Sequence, residues 1–222
     1  MSTLPLVRPR TRQLSLLDRL VGEVDTVVKT LTNKGLVASR PSPASGHSEG
    51  LTSDSEKRHV AGLMRVNHAG EVCAQALYQG QALTAKLPEV REEMRDAAQE
   101  EVDHLVWCKE RLDQLDSHTS ILNPLWYGLS FGLGALAGAA GDKWSLGFVA
   151  ATEERVCRHL KDHLKQLPES DRRSRLILQT MIEDEQRHGE TALEAGGAEL
   201  PKPIKNAMSA VATAMTKSSY YL

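Results

Sequence analysis

A lone glutamate followed about thirty residues later by Glu-x-x-His occurs twice in this chain. Glu71 precedes Glu101-Val102-Asp103-His104, and Glu153 precedes Glu185-Gln186-Arg187-His188. Residues three apart on a helix share a face, so each Glu-x-x-His pair can grip one ion. Two lone glutamates and two such pairs, one set on each of four helices, make a di-iron or di-manganese carboxylate site inside a helical bundle.

The apolar periodicity places these residues inward. Around the second set it runs Val90, Met94, Ala97, Ala98, Leu105, Cys108, Leu112 and Leu115. Glu101 and His104 fill the gap in that stripe, where a 3.6-residue period demands core residues. Leu146, Val149 and Ala150 precede Glu153, and Val156, Cys157, Leu160 and Leu164 follow it. Leu178, Met181 and Ile182 lead to Glu185 and His188, with Ala192 beyond. Val60, Leu63, Met64, Asn67, Glu71, Ala74 and Tyr78 share a face of the first segment. The expected fold is all-α: a ferritin-like four-helix bundle with a di-iron core, an apolar membrane-facing element and short terminal helices.

Four carboxylates cannot be buried without partners, since each buried ion costs at least several kcal/mol. No Lys or Arg falls on the stripes beside them. Two divalent ions would balance the four charges, and two neutral imidazoles add ligands without charge. A set of oxygen and imidazole donors without Cys suits iron or manganese better than structural zinc. The predicted metal ligands are Glu71, Glu101, His104, Glu153, Glu185 and His188, holding two iron or manganese ions. Asp103 and Asp184 are candidate acceptors that hold the imidazoles in place.

Composition supports this reading. The 222 residues are 41% hydrophobic and 4% aromatic, with a net charge of −2. One full core fits this length, and no alternating strand pattern stands out. The charge gives no case for nucleic acid. Cys73, Cys108 and Cys157 have no metal-binding or disulfide spacing, as expected in a reducing compartment. Arg8, Arg10 and Arg12 are followed by no signal-peptide apolar stretch, which predicts that the protein stays on the cytoplasmic side of the membrane.

Three regions are expected. Residues 1–35 are an amphipathic arm, with Leu17, Leu20, Val21, Val24, Val27, Val28 and Leu31 on one face. Residues 36–55, rich in Ser, Pro and Gly, read as a linker. Residues 56–222 form the bundle. Within it, residues 124–140 carry no charge, and Trp126, Tyr127 and Trp144 lie near the ends. This is the bottom of the range for a membrane span, with aromatics favoured at an interface. It predicts an interfacial or re-entrant element, against the alternative of a buried hairpin closing the bundle.

Asn67-His68-Ala69-Gly70-Glu71 and Tyr78-Gln79-Gly80-Gln81 resemble the opening motif of the demethoxyubiquinone hydroxylases. The likeness continues through Glu101/His104, Asn123-Pro124-Leu125-Trp126, Thr152-Glu153-Glu154, and Asp184-Glu185 with His188. It covers roughly residues 56–222. Asn67 departs from the family's frequent Asp. The resemblance implies a di-iron monooxygenase of ubiquinone biosynthesis, with the same six ligands and Glu101 and Glu185 as bridging carboxylates. It implies O2-dependent hydroxylation of a 2-polyprenyl-3-methyl-6-methoxy-1,4-benzoquinol whose tail is taken from the bilayer. The charge-free stretch and the lack of an export signal predict peripheral attachment to the cytoplasmic face of the cell membrane. The partners implied are that quinol, molecular oxygen and the membrane surface. A second copy of the chain and another ubiquinone-biosynthesis protein remain open as further partners. The alternatives are a ferritin-like ferroxidase or iron-handling protein without an organic substrate, and a non-enzymatic membrane adaptor.

Overall fold

A computed structural model describes residues 16–222. The start of the expected arm, with Arg8, Arg10 and Arg12, lies outside the described residues, as do the side chains of Leu17 and Leu20. The described residues form seven helices and no strand: α1 (Leu16–Thr32), α2 (Asp54–Thr84), α3 (Pro88–Gln114), α4 (Asn123–Ala140), α5 (Asp142–Gln166), α6 (Arg172–Glu194) and α7 (Lys202–Tyr221).

Helices α2, α3, α5 and α6 carry the two copies of the ligand pattern. α2 packs on α3, α5 on α6, and α3 on α6. The turns between them are built locally. Asp142 accepts hydrogen bonds from the backbone N–H of Lys86 and Leu87, both at 3.0 Å, and ties the α2–α3 turn to the start of α5. Pro88 opens α3 in its first turn, where a missing N–H costs nothing. Asp171 caps α6, accepting from the Ser174 N–H at 3.1 Å.

Two apolar clusters fill the bundle. One gathers Val60, Met64, Trp107, Leu112, Leu160 and Leu178. The other gathers Ala74, Tyr78, Met94, Leu146, Val149 and Ala192. On every helix the expected ligands fall between these two groups in sequence, so the polar residues form a layer across the middle of the core.

α4 is the crossover between the two helix pairs. It lies along α2 with backbone against backbone. A Cβ on Gly134 would stand 2.2 Å from the Leu77 carbonyl oxygen, and one on Gly80 2.3 Å from that of Phe131. The opposite side of α4 is exposed: Leu125, Leu129, Leu133 and Leu136 all face outward, Leu136 being 70% accessible. No described helix is long and apolar enough to cross a membrane.

Three features differ from the sequence reading. The C-terminal helix is not short: α7 runs 20 residues, because Pro203 falls within its first turn, where proline is tolerated. The apolar face of α1 divides: Val27 and Leu31 pack beside Tyr127 and Phe131, while Val21, Val24 and Val28 are exposed. The stretch before α2 is fastened to the bundle. Ala44 and Leu51 are buried in the core, and Glu49 pairs with the fully buried Arg111 at 2.6 Å.

Candidate metal centre

Five of the six expected ligands are almost wholly shielded from solvent: Glu71, Glu101, His104, Glu153 and Glu185. His188 keeps 9% of its side chain accessible. Glu71, Glu101, His104 and Glu185 each offer a donor atom within 4.8 Å of the others. His104 Nδ1 lies 2.9 Å from Glu101, 3.1 Å from Glu185 and 3.6 Å from Glu71. His188 Nδ1 lies 3.2 Å from Glu185 and 3.3 Å from Glu101. Glu101 and Glu185 are therefore common to both imidazoles. Glu153 stands beside this group, and its Oε1 accepts a 2.5 Å hydrogen bond from the Tyr78 hydroxyl.

The second nitrogen of each imidazole is also held, in a crossed arrangement. His104 on α3 donates from Nε2 to Asp184 Oδ2 of α6 at 3.0 Å. His188 on α6 donates from Nε2 to Glu100 Oε2 of α3 at 2.7 Å. Asp184 thus has the role expected for it. Asp103 does not touch an imidazole. It accepts from the Ser39 backbone N–H at 2.6 Å, from the Ser39 hydroxyl, and from Arg40 Nε at 2.7 Å. Glu100 was missed because a carboxylate one residue before an expected ligand reads as a solvated helix position. Tyr78, which lies on the same face of α2 as Glu71, joins the cluster through its bond to Glu153.

The electrostatics fit a site built for cations. Among the described residues, no Lys or Arg lies within ion-pair distance of Glu71, Glu101, Glu153 or Glu185. Burial pushes the Glu71 and Glu153 carboxyls well above the usual range, and the neighbouring Glu101 and Glu185 charges add to it. Burial works against a charged His188, yet its ion pairs with Glu101 and Glu185 push it up to about 12. The protein alone therefore holds the cluster together with protons. Even so, Glu101 Oε1 and Glu153 Oε2 are buried without a hydrogen-bond partner. Unmet carboxylate oxygens among hard oxygen and imidazole donors are what a pair of divalent ions would satisfy.

A cavity of about 320 Å³ adjoins the site. Glu71 and Asn67 lie in its wall, with Leu77, Leu129, Leu133, Phe148 and Met208. Asn67 Oδ1 accepts from His163 Nδ1 at 2.8 Å, and the His163 ring lies 3.8 Å from that of His159, which also lines the cavity. Burial lowers His163 to about 3 and His159 to about 4, so both are neutral. Neither is in the cluster of Glu71, Glu101, His104 and Glu185.

The family model described as ubiquinone biosynthesis protein COQ7 matches residues 58–219. The chain belongs to this family. It is 60% identical over 209 residues to a 3-demethoxyubiquinol 3-hydroxylase of Pseudomonas syringae, covering 94% of this chain and 97% of the relative. A protein of the same name in Stutzerimonas stutzeri is 58% identical over 212 residues, covering 96% and 99%. One in Acinetobacter baumannii is 60% identical over 206 residues, covering 93% and 97%. The COQ7 match covers the four helices that carry the expected ligands and leaves out α1 and the fastened stretch before α2.

Proposed function

We propose that this protein is the hydroxylase that adds a ring oxygen to a 3-demethoxyubiquinol in ubiquinone biosynthesis. The observation that carries this is the buried carboxylate and imidazole cluster with an apolar cavity at Glu71, in a chain 60% identical to 3-demethoxyubiquinol 3-hydroxylases. We propose further that the bundle of residues 56–222 is ferritin-like and holds two irons through Glu71, Glu101, His104, Glu153, Glu185 and His188. Glu101 and Glu185, shared by both imidazoles, are suited to bridging. When bound, the metal pair supplies activation of molecular oxygen and delivery of one atom to the electron-rich ring.

The protein's own residues set the stage. Asp184 and Glu100 hold the two imidazoles by Nε2, so that each Nδ1 faces the carboxylates. Tyr78 holds Glu153 in place while keeping its proton on the hydroxyl oxygen, because burial and the surrounding carboxylates push its ionisation well up. The apolar cavity wall keeps water from the reacting ring. Neutral His159 and His163 add no charge that would have to be desolvated with the quinol.

The cavity suits the ring, not a long isoprenoid tail. Leu129 and Leu133 line it and are also exposed on α4. With Leu125, Leu136, Val21, Val24 and Val28, they support peripheral attachment to the cytoplasmic face of the cell membrane, the tail staying in lipid. The test is turnover of the quinol by reduced, iron-loaded protein under labelled oxygen. Label is expected in the product hydroxyl, with none from labelled water. Brisk oxidation of ferrous iron without hydroxylation would favour the ferroxidase alternative.

A further inference from the structure

Arg40 lies before α2, outside the residues matched by the family model, yet it reaches the metal centre's supporting residues. Its Nε is 2.7 Å from Asp103 Oδ2 and its Nη2 is 2.8 Å from Asp184 Oδ2. That same Asp184 oxygen receives the hydrogen of His104 Nε2 at 3.0 Å. One carboxylate oxygen thus joins Arg40 to His104.

Arg40 is itself fixed from two sides. Its guanidinium carbon lies 4.9 Å from the centre of the Trp107 ring, and Trp107 Nε1 donates to the Arg40 carbonyl at 3.3 Å. The Trp107 ring in turn lies 5.5 Å from that of His104. The Ser39 N–H and hydroxyl hold Asp103 from the same stretch of chain. Asp103 precedes His104 on α3, and Asp184 precedes Glu185 on α6. Both side chains are nearly buried, with 2% and 5% of their surface accessible. Arg187 also pairs with Asp184, at 3.1 Å, but is itself more than half exposed.

We propose that Arg40 is a positioning residue of the metal centre. Its forked guanidinium spans Asp103 and Asp184, ties α3 to α6 beside His104 and Glu185, and aims Asp184 at His104 Nε2. The imidazole is thereby held with Nδ1 toward Glu101, Glu71 and Glu185. The inference rests on the metal-centre reading given above. Two carboxylates must be gripped at once with a planar stacking group, which Lys cannot do, because its ammonium is a single point of charge.

The test compares full-length wild type with Arg40→Gln, Arg40→Lys and Glu49→Gln. Each metal-free protein is titrated with Co2+, reading its visible absorption, and with Fe2+ against a competing chelator without oxygen. Helix content is followed by circular dichroism. Arg40→Gln should bind either ion about 10- to 100-fold more weakly, the range for loss of a ligand's supporting partner. Its Co2+ spectrum should change while its helix content stays the same. Arg40→Lys should fall between, and Glu49→Gln, which loosens the same stretch without touching Asp184, should bind as wild type does. Wild-type affinity and spectrum in Arg40→Gln would overturn the inference, as would equal weakening in Glu49→Gln. If Arg40→Gln loses helix content, a folded Arg40→Lys with wild-type binding overturns it. Failure of the wild type itself to bind either ion would instead overturn the metal-centre reading, and this inference with it.

Discussion

Replacing Gly134 by Ala tests how α4 is seated. The added Cβ would stand 2.2 Å from the Leu77 carbonyl oxygen, where ordinary contact begins at 3.4 Å. The two helices would have to part there by about 1.2 Å, the difference between those distances. Both sides of the contact are backbone, so no side chain can turn away. The cost should lie near the top of the overpacking range, about 3 kcal/mol. Ala in place of helical Gly returns about 1 kcal/mol, leaving a net loss of about 2 kcal/mol by these two principles. Gly132, two residues earlier, is the control. Nothing lies within 4 Å of its added Cβ, so Gly132→Ala should gain about 1 kcal/mol. The two variants should differ by about 3 kcal/mol, or roughly 6–12 °C in Tm for a chain of this size. Thermal unfolding followed by circular dichroism at matched metal content reads this directly. Equal melting temperatures would refute the close α2–α4 seam.

Arg111 is fully buried between Asp171, Glu49 and Ser174, so Arg111→Ala should cost about 3–5 kcal/mol in urea unfolding by leaving Asp171 uncompensated. A loss under 1 kcal/mol, the range of a surface pair, would contradict that network. Burial would raise the Glu49 carboxyl, but the Arg111 and Leu51 hydrogen bonds outweigh it and hold it at about 2, below its ordinary 4.5. Its contribution is therefore complete above pH 4.5 and lost as pH falls through about 2. Glu49→Gln should flatten that part of the acid limb in urea midpoints measured against pH, and an unchanged slope would count against it. Leu129→Lys with Leu133→Lys should weaken vesicle binding and slow long-tailed quinols more than short-tailed ones. Equal slowing would mean that the exposed face of α4 does not serve the membrane.

The burial of the candidate ligands was readable because each of them interrupts an apolar stripe, and the helical period alone turns Glu71, Glu101, Glu153 and Glu185 inward. The fastening of residues 39–51 was not. Ser39, Arg40 and Glu49 belong to no period, and their partners Asp103, Asp184 and Arg111 lie more than sixty residues away in the chain. The same limit applies to the motif residue His68, which donates from Nε2 to Asn33 at 2.9 Å and accepts from Asn123 at Nδ1. Its place in the motif was visible, but its burial as a neutral polar anchor was not. Crossed support of the imidazoles also depends on how α3 faces α6, which no single-helix pattern encodes. For that reason Asp184 was found and Glu100 was not.

Iron content is the most direct measurement of the central claim. Purified wild-type protein should hold about two irons per chain. Glu101→Ala combined with Glu185→Ala removes both carboxylates shared by the imidazoles, and should abolish iron binding while leaving most of the helix content. Full iron loading in that double variant would contradict the assignment of the buried cluster as the metal centre.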